Sequence, residues 1–405
     1  MRRLAIAAGI AVAVGALAGC QRSVATDPWA GAVGPDVLAR MGLEYYWRSV
    51  QLPIDREGGE TLCRLWQLDE NLYALSSRNR LFAVNAVNGR LKWYYPVAPP
   101  ALKVFDPCHA KDVIPDPEAA KQVLSGAIRG PELKLVDAVI VNTLSTALVL
   151  DRTTGKPVRK LDLPFAANSP GASDGDFLFL GSVKGWYHAV RLCDGLVQWT
   201  RSTGEMISAA PISHGGRLAV ASHDGRFYVI KPGQTTQRRL WVQPTDGPLS
   251  AAFVVDDRGC FVPSQDYKLY AFDAVSGEEL WTPFRTQGPL RRAVQLGQRS
   301  AFQYAENDRF YAIDVGSGRK RWEMPDGRLV LGASDQHVFV LTSKNRLRKV
   351  HESLGRTEVT VPLNGLDLFV PNAANDAMYA GTADGRLVCL RPLDAETLTV
   401  DVLSK

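Results

Sequence analysis

The chain has 405 residues but only six cysteines, with no two adjacent and none in a Cys-x-x-Cys pair, which argues against a zinc site. It contains no His-Glu-x-x-His segment, so that common zinc-hydrolase signature is missing. The six histidines are scattered at 109, 188, 214, 223, 337 and 351. Cys108-His109 near Asp106 offers metal-binding atom types, but adjacent donors in one loop are a weak signal. Gly-rich pieces such as Gly58-Gly59 and Ser317-Gly318 stand in turn-like surroundings with no strand–loop–helix context, which excludes a phosphate cradle. Charge of one sign is also scarce: 47 Lys and Arg face 42 Asp and Glu. That balance gives no reason to expect nucleic acid or a strongly anionic surface as partner. Low-complexity tracts are absent, and 46% hydrophobic residues suffice for a large core.

Only one long apolar run exists, from Leu4 to Ala18, and it falls short of the roughly 20 residues of a membrane-spanning helix. Arg2 and Arg3 precede it, no acid occurs in the first 19 residues, and Leu17-Ala18-Gly19-Cys20 follows. Positive start, short apolar segment and small-residue end describe an export signal over residues 1–19. The tetrad resembles the bacterial lipobox, which implies lipidation at Cys20, with Gln21 in place of Asp implying outer-membrane sorting. Acyl chains contribute about 0.8 kcal/mol per buried methylene, so such an anchor needs no spanning helix. Residues 20–42 read as a flexible tether.

The remainder, residues 43–405, is one pattern read about eight times. Asp266 to Trp281 is the clearest copy: a β-rich alternating strand Leu269–Phe272, the turn Asp273-Ala274-Val275-Ser276-Gly277, and Trp281 four residues after the glycine. The same Gly-to-Trp spacing recurs at Gly89/Trp93, Gly195/Trp199 and Gly318/Trp322. Looser copies end at Arg159 (with Gly155), Trp241 and Val359. Successive ends at 159, 199, 241, 281, 322 and 359 lie 40, 42, 40, 41 and 37 apart, a period that carries far more weight than any single motif. Asp bonds the backbone ahead of it, Gly supplies positive φ, and Trp fills space between adjacent sheets. Four short antiparallel strands per repeat predict an all-β propeller with eight blades, or seven if the weak unit ending at Arg159 is not a blade.

The last copy, Asp384 to Leu390, lacks a following Gly-x-x-x-Trp, whereas Tyr45 to Val50 supplies an orphan Trp47 strand. Pairing the two predicts that the N-terminal strand closes the last blade. Between Trp93 and Arg159 the interval is 66, which predicts an insertion near 99–131 with a helix start at Asp116-Pro117-Glu118. Lipidation of Cys20 leaves five cysteines, so at least one stays unpaired within the chain. Cys63 and Cys108 flank the first blade and its insertion, and an oxidising compartment allows a disulfide between them. Cys193, Cys260 and Cys389 lie in strand-like surroundings, where burial as small hydrophobes is the default.

The unit resembles the PQQ-like β-propeller repeat, Asp-Gly-x-Leu-Tyr-Ala-Leu-Asp-x-x-Thr-Gly-x-x-x-Trp. With the lipobox, the opening Trp47 strand and the closing Asp384 to Leu390 strand, residues 43–391 are similar to the BamB-like lipoproteins of outer-membrane barrel assembly. That resemblance implies a non-catalytic, cofactor-free scaffold, a single propeller within a complex. It would be held to the outer membrane by lipid, face the periplasm, and bind envelope proteins such as the central barrel-assembly subunit. A generic ligand- or polysaccharide-binding envelope propeller is the alternative. A quinoprotein dehydrogenase shares the repeat, but its usual vicinal cysteine pair and longer chain are missing.

Overall fold

The computed structural model describes residues 33–49, 51–115, 135–233 and 236–403. Cys20, the export signal and the helix start at Asp116 lie outside the described residues. The described strands form eight four-stranded antiparallel sheets arranged as an eight-bladed propeller. From the axis outward, blade 1 consists of Leu62–Leu68, Asn71–Ser76, Arg80–Asn85 and Leu91–Pro96. Blades 2 to 7 follow at 108–162, 172–202, 212–244, 254–285, 295–324 and 327–362. Blade 8 takes its first three strands from Leu368–Phe369, Met378–Gly381 and Leu387–Pro392, and its outer strand from Leu43–Arg48.

The middle strands are buried on both faces because each sheet is sandwiched by its neighbours. Asn71–Ser76 is buried at every position, as are Phe177–Gly181 and Gly259–Pro263. Core clusters therefore sit between blades rather than within them: Phe302, Phe310 and Trp322 of blade 6 pack with Val330, Val338 and Val340 of blade 7.

Each seam is stapled by the repeat's own signature residues, though not in the pairing that the four-residue spacing suggests. The Trp of one blade packs on the turn glycine of the next: Trp47 on Gly89, Trp93 on Gly155, Trp241 on Gly277, Trp281 on Gly318 and Trp322 on Gly355. The indole N–H then donates to a carbonyl of that neighbouring turn, from Trp47 to Ala86 at 2.9 Å, Trp93 to Arg152 at 3.0 Å, Trp281 to Val315 at 3.1 Å and Trp322 to Glu352 at 2.6 Å. Trp199 reaches the Gly233 carbonyl of blade 4 at 2.9 Å. Glycine is required twice over in these turns. At Gly318 φ is +67°, and a Cβ would stand 2.5 Å from the Trp281 ring. Two departures are informative. Blade 2 has Arg159 where others have Trp, and its guanidinium takes over the bond, donating to the Leu192 carbonyl at 2.5 Å. Gly195 accordingly faces Leu161 instead of a ring. At the blade 4–5 seam the buried Trp241 indole N–H has no acceptor among the described residues, and Gln243 bonds the Gly277 carbonyl at 2.7 Å instead.

Closure follows the expected route. Leu43–Arg48 runs antiparallel to Leu387–Pro392, with Tyr45 opposite Leu390 and Trp47 opposite Cys389. The C-terminal tail reinforces this seam: Leu398 and Leu403 join the core between blades 8 and 1, and Gln67 of blade 1 donates to the Leu403 carbonyl at 3.3 Å. Buried Arg391 fixes the tail's origin through a bidentate pair with Asp376 and a bond to the Glu396 carbonyl.

Three expectations need correction. Residues 33–42 are not tether: Pro35–Ala39 is a short helix, with Pro35 at its first turn, and Val33, Leu38 and Met41 are buried against blades 7 and 8. The insertion is narrower and later than 99–131, because Cys108–Val113 is the inner strand of blade 2 and the extra length lies between Val113 and Val136. Cys63 and Cys108 are both free thiols. Cys63 is exposed, whereas Cys108 turns into the core between blades 2 and 3 beside Gly171, where burial pushes its pKa up to about 12.

Gly216 and Gly318 share a backbone conformation, at φ +68° and +67°, but nothing lies within 4 Å of a Cβ at Gly216. Gly216→Ala should cost about 1 kcal/mol, and Gly318→Ala about 2–4 kcal/mol because the Trp281 ring must also move. Urea-unfolding midpoints of the two variants check this; equal losses would remove the staple's role.

Candidate partner-docking face

Two sets of loops share one face of the ring: the turns between second and third strands, and the links from each outer strand to the next inner strand. Over blades 2 to 4 they interlock through backbone bonds. Ala167 donates to the Leu144 carbonyl at 2.8 Å, Val183 to Ala166 at 3.1 Å and His223 to Met206 at 3.0 Å. Asn168 ties the two links together, donating to the Ile207 carbonyl at 3.2 Å, and its amide also meets the Met206 sulfur. On this fixed frame Leu144, Val183 and Met206 stand 51%, 47% and 39% exposed, with exposed Trp186 at the start of the adjoining strand. Large apolar side chains clustered on a rigid, well-bonded surface mark an interaction site more than a solvated one.

The support beneath the cluster is aromatic. Phe165, in the blade 2–3 link, stacks on His188 with ring centroids 3.6 Å apart and planes 6° from parallel. Burial lowers the His188 pKa to about 4, so the imidazole is neutral near pH 7, and its Nδ1 has no partner among the described residues. His223 is lowered for the same reason, and its Nε2 meets the Ser208 hydroxyl at 2.7 Å.

Chemistry-bearing residues elsewhere are committed to structure. Asp106 pairs with Arg64 at 2.9 Å, while His109 faces away from it toward Asp69 and Tyr73, each at 2.9 Å. Asp106, Cys108 and His109 thus diverge and form no common donor set. The Tyr73–His109–Asp69 chain has the shape of a proton relay, but the Tyr73 hydroxyl is buried between blades 1 and 2 and also accepts from Asn71 at 3.0 Å. Arg152 completes the network by meeting Asp69 at 3.2 Å and Asp137 at 2.6 Å. The arrangement ties two blades together. A groove of about 840 Å³ lies between the rims of blades 1 and 2, floored by Tyr95, Val97, Pro99, Leu102 and Leu148. Its rim charges are self-compensated, with Arg78 on Asp55 at 2.7 Å and Arg80 on Glu60.

The tryptophans and glycines singled out in the sequence are therefore seam residues, and none lies in the apolar cluster. A sequence signal for that cluster did exist. The residue after the Ser or Thr (Ala305 in blade 6) that ends or directly follows each second strand reads Ser77, Leu144, Val183, His223, Gln265, Glu306, Ser343 and Ala383. Consecutive bulky apolar residues occur only at blades 2 and 3.

For His188 the sign is set by a folded pKa below the unfolded value. Its stabilising contribution is complete above about pH 6.5 and declines as pH falls toward 4, because the unfolded chain takes up the proton first. The decline should amount to about 2–3 kcal/mol. His188→Gln should flatten that part of the stability–pH curve, measured by denaturant midpoints between pH 4 and 7.

Comparison with known proteins accords with this geometry. The family model described as "Outer membrane protein assembly factor BamB" matches residues 143–248, 233–329 and 294–403. No curated protein matches the sequence. The crystal structure of BamB from Moraxella catarrhalis superposes with a TM-score of 0.62 at 14% identity, covering 87% of this chain and 99% of that one. The computationally designed Ika8 protein superposes with a TM-score of 0.61 at 11% identity, covering 86% and 99%. A designed propeller fits about as well as a natural one, so the superpositions speak to fold alone. The matched segments together run from 143 to 403, well over half of the chain, and on that ground the chain belongs to the family of the outer membrane protein assembly factor BamB.

Proposed function

We propose that the protein is a non-catalytic scaffold lipoprotein. Its acylated Cys20 holds it on the periplasmic side of the outer membrane, and it binds a protein partner in β-barrel assembly. The observation that carries this reading is the apolar cluster Leu144, Val183 and Met206, fixed on one face by interlocked links, in a propeller of the BamB family. A rigid ring suits the task. The interlocked links over blades 2 to 4 need no ordering on contact, so less of the interaction free energy is lost to entropy. The lipobox-like Leu17-Ala18-Gly19-Cys20 supports the anchor, and the BamB family model supports the barrel-assembly setting.

Truncating a hot-spot anchor at the centre of an interface costs about 2 kcal/mol or more. The double variant Leu144→Asp/Met206→Asp should therefore lose the central barrel-assembly subunit when lipidated protein is captured from solubilised membranes, while keeping the unfolding midpoint of the parent. Undiminished capture of that subunit would rule out this face, and recovery of cell-wall polysaccharide in its place would rule out the scaffold reading. Cys20→Ser should release the protein from the membrane fraction; persistent attachment would contradict the anchor.

A further inference from the structure

The chain's net charge is not spread around the ring. Residues 184–244, which cover most of blade 3 and all of blade 4, contain eight Lys and Arg against three Asp and Glu. The other 344 residues balance, with 39 of each sign, so the whole formal +5 resides in these two blades.

Three of the eight cations lie on the outer strands of blades 3 and 4, and a fourth, Lys231, stands on the third strand of blade 4 beside them. Arg201 is on the outer strand of blade 3, opposite Tyr187. Lys231 and Arg238 stand directly opposite one another in the outermost ladder of blade 4, and Arg239 is opposite Ile230. Arg239 reaches across the seam. Both it and Arg201 act on the Tyr187 hydroxyl, and they oppose the burial that pushes its pKa up to about 12. All four side chains are exposed, and among the described residues none meets a carboxylate at ion-pair distance. The segment's acids are occupied or off the strip: Asp194 pairs with Arg191, Asp224 accepts from the Tyr228 hydroxyl at 2.6 Å, and Glu205 lies in the link beside Met206.

Edge strands commonly carry Lys or Arg to discourage edge-to-edge pairing. Several outer-strand cations elsewhere in this ring are compensated locally: Lys92 by Glu70 in blade 1, Lys160 by Asp162 in blade 2, and Lys320 and Arg321 by Glu323 and Asp314 in blade 6, whereas Arg48 of blade 8 and Arg285 of blade 5 stand singly. Blade 4 does the opposite. It sets two like charges face to face in one ladder, an arrangement that destabilises the free protein. A surface with uncompensated charge of one sign is matched by a partner of the other.

We propose that the outer part of blades 3 and 4, through Arg201, Arg238 and Arg239 on the outer strands and Lys231 on the strand paired with the last, forms a docking surface for an acidic polypeptide face, separate from the apolar cluster on the loop face. An anionic bilayer would offer similar chemistry, but the position in the ring disfavours it. The N-terminal segment packs on blades 7 and 8, which lie across an eight-membered ring from blades 3 and 4. The strip therefore points away from the membrane to which that segment would lead.

The test compares two variants of the full mature chain, each lacking four unpaired, exposed cations. One is Arg201→Gln/Lys231→Gln/Arg238→Gln/Arg239→Gln; the other, Arg299→Gln/Arg319→Gln/Lys344→Gln/Arg346→Gln, removes the same charge from blades 6 and 7. A fluorescent Asp/Glu-rich peptide and phosphatidylcholine vesicles containing phosphatidylglycerol are the probes, at low and physiological salt. The strip variant should bind the peptide at least about tenfold more weakly than the parent, with the difference shrinking as salt rises, and should unfold no earlier than the parent. The blade 6–7 variant should keep its peptide affinity. Equal losses in both variants, or no loss in the strip variant, would overturn the proposal. So would vesicle binding that depends on the strip where peptide binding does not.

Discussion

An indole ring lying flat on a neighbour's glycine is the contact on which the ring depends. Eight twisted sheets pack face to face around an axis, and no hydrogen-bonded ladder crosses from one blade to the next. Between the sheets themselves adhesion comes from side chains, and the backbone bonds that join blades are confined to turns, links and strand ends. The outer-strand Trp supplies both parts of it, a large apolar area and a directed N–H aimed at a turn carbonyl one blade on. Removing the Cβ on the other side lets the ring approach at van der Waals distance, and the positive φ that aims the carbonyl comes with the same glycine.

This explains which parts of the structure could be read in advance. Period, strand alternation and turn chemistry are local, so the blade count, the four-stranded sheets and the closing Trp47 strand were all legible. The pairing of Trp with Gly was legible only in phase. A spacing of four residues links Gly277 to Trp281, yet the glycine under Trp281 is Gly318, because adjacency in a ring differs from adjacency in the chain. Gly355 was missed for a related reason: Val359 follows it, so the motif looks broken, while its own partner Trp322 belongs to the preceding copy. The weak copy at Arg159 is a full blade because a guanidinium can make the same carbonyl bond as an indole.

Cysteine pairing and the docking face were harder. Cys63 and Cys108 sit near the starts of neighbouring inner strands, but one faces solvent and the other the next seam, a difference of side-chain direction that spacing does not encode. The loop-face cluster arises from turns of two blades and the intervening links, and repeat symmetry conceals it until the copies are compared position by position. Blades 2 and 3 depart from the repeat average in apolarity at Leu144 and Val183, and blade 4 departs in charge at Lys231 and Arg238. Departures from an internal average carry the information that a repeat protein otherwise lacks.

The seam between blades 8 and 1 has a bearing on how the molecule comes into being. Leu43–Arg48 finds its ladder partner only in Leu387–Pro392, and the tail through Leu403 then covers the join. A polypeptide synthesised and threaded through a membrane from its amino end would therefore present an edge strand, with Trp47 bare, until nearly the last residue had emerged. Blades 2 through 7 are each made from one continuous stretch, so they can form while that strand waits. Completion of the circle thus doubles as a check on chain length. A product cut short before residue 387 leaves its first strand unmatched, exposes an adhesive edge, and becomes distinguishable from the finished molecule by surface alone.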